Sequence, residues 1–150
     1  MPDLVDETAV AVSEPSTVAR TRAKEATVRS HVMRAQGRRD AVGRAIAYMH
    51  ENLDNSRLNL DNVAAAAGLS RYYFTRLFRA LTGNTPMRYL THLRMERAKH
   101  ILATTDLRTD DVRAKVGFRS RGSFGKRFHD VVGVPPTVHR AHARAEGAEG

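Results

Sequence analysis

From residue 42 onward the apolar positions recur at helical spacing. Val42, Ile46, Met49 and Leu53 fall at i, i+4, i+7 and i+11, the stripe of one amphipathic helix. Leu60, Val63 and Ala64, ahead of Gly68, predict a second and shorter helix. Ser70 can cap a third, in which Phe74, Leu77, Phe78 and Leu81 form the i, i+3, i+4, i+7 buried face, closed by Thr82-Gly83. Thr85 followed by Pro86 is an N-cap with proline in the first turn, and it opens a long fourth helix through about Ala103. No segment shows sustained two-residue alternation, so the fold class is all-α.

The flanks read differently. Residues 1–38 begin acidic (Asp3, Asp6, Glu7, Glu14), contain Pro15, then turn basic (Arg20, Arg22, Lys24, Arg29, Arg34). Their apolar residues are mostly Ala and Val without a sustained stripe, so little core can be buried. A flexible or partly helical extension is expected, with a helix between roughly Val18 and Ala35 ahead of Gly37. Pro135 and Pro136 open a final short helix expected to end near Arg140, and 141–150 (AHARAEGAEG) reads as a disordered tail.

The chain nearly repeats itself. VAAAAGLSRYYFTRLF (63–78) is matched by VRAKVGFRSRGSFGKRF (112–128). Val63 pairs with Val112, Gly68 with Gly117 and Leu69 with Phe118. After a one-residue insertion, Phe74 pairs with Phe124, Arg76 with Lys126 and Phe78 with Phe128. Each copy reads as short helix, glycine turn, second helix, which is the helix-turn-helix pattern. The fourth helix bridges the copies, and roughly eighteen residues at about 1.5 Å each span about 27 Å. That separates two readers by something near one DNA turn, about 34 Å, within a single chain.

Charge points the same way. Among 150 residues, Lys and Arg number 25 against 16 acids, a formal net charge of +9 that favours a polyanionic partner. The absence of cysteine excludes disulfides, thiolate zinc sites and cysteine nucleophiles. No apolar run approaches membrane-spanning length, and the acidic N-terminus is unlike a secretory signal, so no membrane association and a cytoplasmic location are expected.

The region from about Arg39 to Arg140 resembles the AraC/XylS family DNA-binding domain. The matching stretches are LDNVAAAAGLSRYYFTRLFRALTGNTPMRYL (60–90), LRMERAKHIL (93–102), VGF with F-x-x-x-F, and GVPPTVHR (133–140). The resemblance implies about seven helices in two helix-turn-helix subdomains, about 58–82 and about 109–130, joined by a linker helix at about 86–103. It also implies a sequence-specific transcriptional regulator inserting two recognition helices into adjacent major-groove segments of double-stranded DNA. RNA polymerase is the expected protein partner. Residues 39–140 leave no room for the family's effector-binding barrel, so the chain is similar to the short stand-alone MarA-like members that bind asymmetric sites as monomers.

On the third helix, the face opposite Phe74 and Phe78 carries Tyr72, Thr75, Arg76 and Arg79. Arg76 can make the bidentate contact to a guanine edge, and Thr75 or Tyr72 can touch a thymine methyl. The resemblance implies base contact at these same three positions. Ser70 and Arg71 stand at the helix start, where a phosphate fits. The second copy departs from the first, with Gly122, Gly125 and Lys126 at the reading positions, Arg113 in place of Ala64 and Arg127 in place of Leu77. Arg113 and Arg127 are expected to snorkel, stems over the core and heads outward. The expected division of labour is base contact by Tyr72, Thr75, Arg76 and Lys126. Phosphate contact falls to Ser70, Arg71, Arg79, Arg88, Arg119, Ser120, Arg121 and Ser123. Arg94 belongs to the family's LR element and reads as a structural partner.

Other chemistries fit worse. GSFGKR contains G-x-x-G-K, but a phosphate-binding loop needs glycine at Ser120 and Ser or Thr at Arg127, so no enzyme is expected. RGSFGKRF begins like an RNA-binding octamer, yet Ser123 and Phe124 are the wrong types in a helical context. His139 and His142 lack further ligands, so neither metal nor cofactor is expected. The open alternatives are a sequence-indifferent DNA-coating protein and a DNA-binding adaptor acting through a partner on the N-terminal extension.

Overall fold

A computed structural model describes residues 16–149, and the acidic start (1–15) and Gly150 lie outside the described residues. Contacts divide the chain into two units, Met1–Arg39 and Asp40–Gly150. Seven helices and no strand occur among the described residues: α1 (Thr17–Glu51), α2 (Leu60–Ala66), α3 (Arg71–Thr82), α4 (Pro86–Thr104), α5 (Thr109–Lys115), α6 (Arg121–Val132) and α7 (Pro136–Glu149).

In the first unit, 17–39 of α1 buries nothing; Val18, Val28, Val32 and Met33 are all exposed. The helix does not stop at Gly37 as expected but continues through it and through Gly43. An interior glycine costs a helix only about 1 kcal/mol against alanine, too little to break one of 35 residues.

In the second unit, caps and turns do what the sequence requires of them. Asn59 and Asn62 exchange side-chain and backbone bonds around the start of α2, a capping box built from two asparagines. Ser70 Oγ accepts the Tyr73 N–H at 3.3 Å and Ser120 Oγ accepts the Ser123 N–H at 3.2 Å, so the two recognition helices start alike. They also end alike, on Gly83 and Gly133, whose positive φ (81° and 96°) suits the left-handed helix stop.

Two cores lie side by side along this unit. The first gathers Val42, Met49, Val63, Phe74, Phe78 and Leu90. The second gathers Met95, Ala98, Leu102, Val112, Phe124 and Phe128. α4 supplies Leu90 to one and Met95, Ala98 and Leu102 to the other, which makes it the shared wall of two helix-turn-helix subdomains. Each aromatic pair expected at i, i+4 is packed, Phe74 with Phe78 at 5.5 Å between centroids and Phe124 with Phe128 at 5.9 Å.

Two expectations change. Leu81, read as part of the buried face of α3, is 47% exposed, because the chain turns away at Gly83 before anything covers it. The last helix does not end near Arg140 but continues to Glu149, so the tail read as disordered is helical. Its alanines favour helix, and Arg140 and Arg144 tie it down. Arg140 donates to the carbonyls of Leu102 (3.0 Å), Thr105 (3.3 Å) and Leu107 (2.5 Å), and Arg144 reaches the Thr105 carbonyl and the Asp106 carboxylate.

Candidate nucleic-acid interface

With Phe74, Leu77 and Phe78 buried, the opposite side of α3 is left to solvent. Tyr72 is 74% exposed there, the most exposed large apolar side chain among the described residues. Its ring carries the Arg76 guanidinium at 5.7 Å from the centroid, a cation–π pair that restricts both side chains before any ligand arrives. Thr75, half-buried, donates its hydroxyl proton to the Arg71 carbonyl at 2.9 Å, so its oxygen keeps acceptor lone pairs for a ligand. Arg79 is exposed one turn on. At the helix start, Ser70 Oγ accepts a backbone N–H, so its own proton remains available to a phosphate oxygen. Arg71 lies 3.8 Å from the Asp61 carboxylate with both side chains exposed, a loose pair that a phosphate can replace.

α6 repeats this frame with different contents. Gly122 and Gly125 occupy the places of Tyr72 and Thr75, and a Cβ built on either meets nothing within 4 Å outside its own helix turn. Packing within the fold therefore does not demand glycine at these two positions. Arg119, Ser120, Ser123, Lys126 and Arg127 are exposed around them. Arg88, exposed near the start of α4, shares a shallow groove with Arg127 and Asp130.

Arg113 overturns the snorkelling expectation. Its head turns inward to the turn, donating to the Phe118 carbonyl at 2.5 Å, the Arg119 carbonyl at 3.1 Å and Asp110 Oδ1 at 2.8 Å. A side chain with five donors finds its acceptors in two carbonyls of the turn between α5 and α6. Asp110 Oδ1 also accepts from Arg121 at 2.9 Å. The bond from Arg113 holds the Asp110 carboxyl below the ordinary carboxylate range; partial burial opposes this, and Arg121 adds to it. Arg127, in contrast, extends into solvent.

Arg94 has the structural role read for it. Only 9% exposed, it donates to the Leu53 carbonyl at 3.0 Å and the Asn55 carbonyl at 2.9 Å, and its guanidinium lies 5.8 Å from the Phe118 centroid. Burial pushes its pKa down, with Asp54 opposing, yet a guanidinium starts so high that it stays charged. Gly117 completes the contact. Its φ is +83°, and a Cβ there would stand 2.5 Å from the Leu53 carbonyl and 3.0 Å from Arg94 Nε. One arginine thus joins the loop after α1, the linker helix and the turn of the second subdomain, and so fixes how the two subdomains sit on each other. The sequence reading assigned no such task to Arg140, Gly117 or Arg113. A side chain aimed at carbonyl oxygens leaves no pattern in sequence, and only the glycine common to both turns hinted at close approach.

The profile of the family described as "Helix-turn-helix domain" matches residues 63–142. The HTH-type transcriptional activator AarP of Providencia stuartii is 32% identical over 99 residues, covering 66% of this chain and 73% of that protein. Two further curated relatives are longer, the MmsAB operon regulatory protein of Pseudomonas aeruginosa and the transcriptional activator NphR of a Rhodococcus species, each 35% identical, and the chain spans about a third of their length. The DNA-binding domain of the global transcriptional factor AdpA, solved in complex with a target DNA, superposes with a TM-score of 0.68 at 33% identity, over 73% of this chain and 97% of that one. An AraC-type regulator from Chromobacterium violaceum superposes with a TM-score of 0.66 at 27% identity, over 72% and 96%.

Proposed function

The chain belongs to the AraC/XylS family of helix-turn-helix transcriptional regulators and carries their DNA-binding domain, and we propose that it reads an asymmetric DNA site as a monomer with unequal halves. α3 discriminates sequence through Arg76, Tyr72 and Thr75, with Ser70, Arg71 and Arg79 on the flanking phosphates. α6 grips the backbone through Arg119, Ser120, Arg121 and Ser123, and Lys126 adds one base-edge contact. Arg88 serves a phosphate near the linker start. The observation that carries this reading is the contrast between the exposed Tyr72–Arg76 pair and the empty positions at Gly122 and Gly125. Glycines that packing does not require let a backbone approach another molecule closely.

The protein acts in the cytoplasm, without catalysis or cofactor, and through RNA polymerase. No described helix is long and apolar enough to cross a membrane. Selection of bound fragments from random DNA tests the reading. An Arg76→Ala chain should bind its selected site little better than random DNA, whereas Arg121→Ala should weaken every sequence alike. The opposite pair of results would reverse the assignment. A two-fold symmetric selected site would exclude the monomer, and no fragment preference at any salt would leave a DNA-coating protein.

A further inference from the structure

We infer that the N-terminal part of α1 is itself a binding rail for a duplex DNA backbone; this rests on the reading above that the chain binds DNA. Residues 17–39 hold seven permanent cations and one acid, Glu25, and all of these are exposed. Their placement is not scattered. Arg20, Lys24, Thr27, His31, Arg34 and Arg38 follow one another at spacings of four, three, four, three and four, a single face of the helix. Glu25 does not share that face, and neither do the exposed Val28 and Val32.

Arg20 and Arg38 are eighteen residues apart, so the stripe extends about 27 Å along the helix axis. A duplex presents about one negative charge per 1.7 Å of its own axis, so a rod of this length can meet several phosphates. Charge decides the occupant. A second copy of this helix would bring like stripes together. Away from the stripe the exposed apolar side chains are Val18, Val28, Val32 and Met33, three valines and one methionine with the acid Glu25 among them, too broken a face to seat in an apolar protein groove. Phosphate oxygens match both the sign and the spread of the cations.

The test uses the full chain carrying Arg20→Gln, Lys24→Gln, Arg34→Gln and Arg38→Gln. Glutamine has nearly the helix propensity of arginine and lysine, so circular dichroism should show α1 retained. Affinity for a random-sequence duplex is measured by fluorescence anisotropy as salt is varied. Each lost phosphate contact reduces the slope of log K against log salt by about 0.9, so the fourfold variant should lose about 2 to 4 units. A second variant with Arg22→Gln and Arg29→Gln, off the stripe, should lose less than about one. An unchanged slope in the fourfold variant overturns the rail, including the case where transcription fails while DNA binding is intact, which assigns the stripe to an acidic protein. An equal loss per charge in both variants overturns it too, because the effect is then net charge and not a face. Absence of fragment preference in the wild-type chain would sink the α3 reading and leave this slope comparison valid.

Discussion

Replacing Arg94 by lysine is the most direct probe of how the two subdomains are held together. Arginine spans two carbonyls, those of Leu53 and Asn55, with one planar group that also covers the Phe118 ring. Lysine keeps the positive charge but presents a single ammonium, so it can satisfy one carbonyl and loses the planar face. A hydrogen bond from a charged donor is worth about 1.5–3 kcal/mol, and the lost cation–π contact adds up to about 1 kcal/mol. The expected loss is therefore about 2–4 kcal/mol, against a total stability of roughly 5–15 kcal/mol for a small domain. In a thermal melt each kcal/mol lowers Tm by roughly 3–6 °C at this size, so a drop near 10 °C is expected. Urea titration should give the same loss through a lower midpoint at unchanged slope. Because the clamp sets the spacing of the two subdomains, affinity for a full site should fall further than affinity for a fragment containing only the α3 half. A lysine variant within about 0.5 kcal/mol of wild type would refute the reasoning, since surface substitutions behave that way.

Three further outcomes follow from the same geometry. Gly117→Ala combines left-handed backbone with a clash at the Leu53 carbonyl and should cost about 2–4 kcal/mol by urea titration, whereas Gly68→Ala, at φ +72° in open space, should cost only about 1–2 kcal/mol. Gly122→Ala and Gly125→Ala should each stabilise the free protein by up to about 1 kcal/mol in a thermal melt while weakening binding to DNA; a stabilised variant with undiminished DNA affinity would remove the close-approach argument. Asp110 has its pKa depressed in the folded state, so the stability it contributes is present above the ordinary carboxylate range and lost as pH falls through the folded value. Asp110→Asn should flatten that acid limb in pH-dependent melts.

Much of the fold was legible because its signals are local. The Ser70 and Thr85 caps, Pro86, the closing glycines and the two phenylalanine pairs each act over a few residues, and the repeat made them mutually consistent. The misses are tertiary. Gly37 looked like a stop because glycine often ends helices, yet its cost is small beside the length of α1. The tail after Arg140 looked loose because its small residues offer no core. It is helical because arginines hydrogen-bond a loop more than thirty residues away. On the candidate interface, the exposed face of α3 followed from its periodicity alone. The inward turn of Arg113 did not, since it depends on where the folded turn aims the Phe118 and Arg119 carbonyls.

That inward turn also bears on whether the second subdomain can grip a phosphate at all, because Arg121, assigned to the grip, is already paired with Asp110. The pair is uneven. Arg121 is 82% exposed, and an ion pair with so exposed a partner is screened by water and worth little. Arg113, at 18% exposure, is held by Asp110 and by two carbonyls. When Arg121 leaves for a phosphate, Asp110 therefore keeps its stronger partner and is not left uncompensated. The exchange replaces a weak surface pair with a charge-assisted bond to a phosphate, at little cost to the turn. Neutralising the carboxylate would free Arg121 but also loosen Arg113. Asp110→Asn should accordingly raise DNA affinity by no more than about fivefold, while the turn of the second subdomain exchanges its amide hydrogens faster.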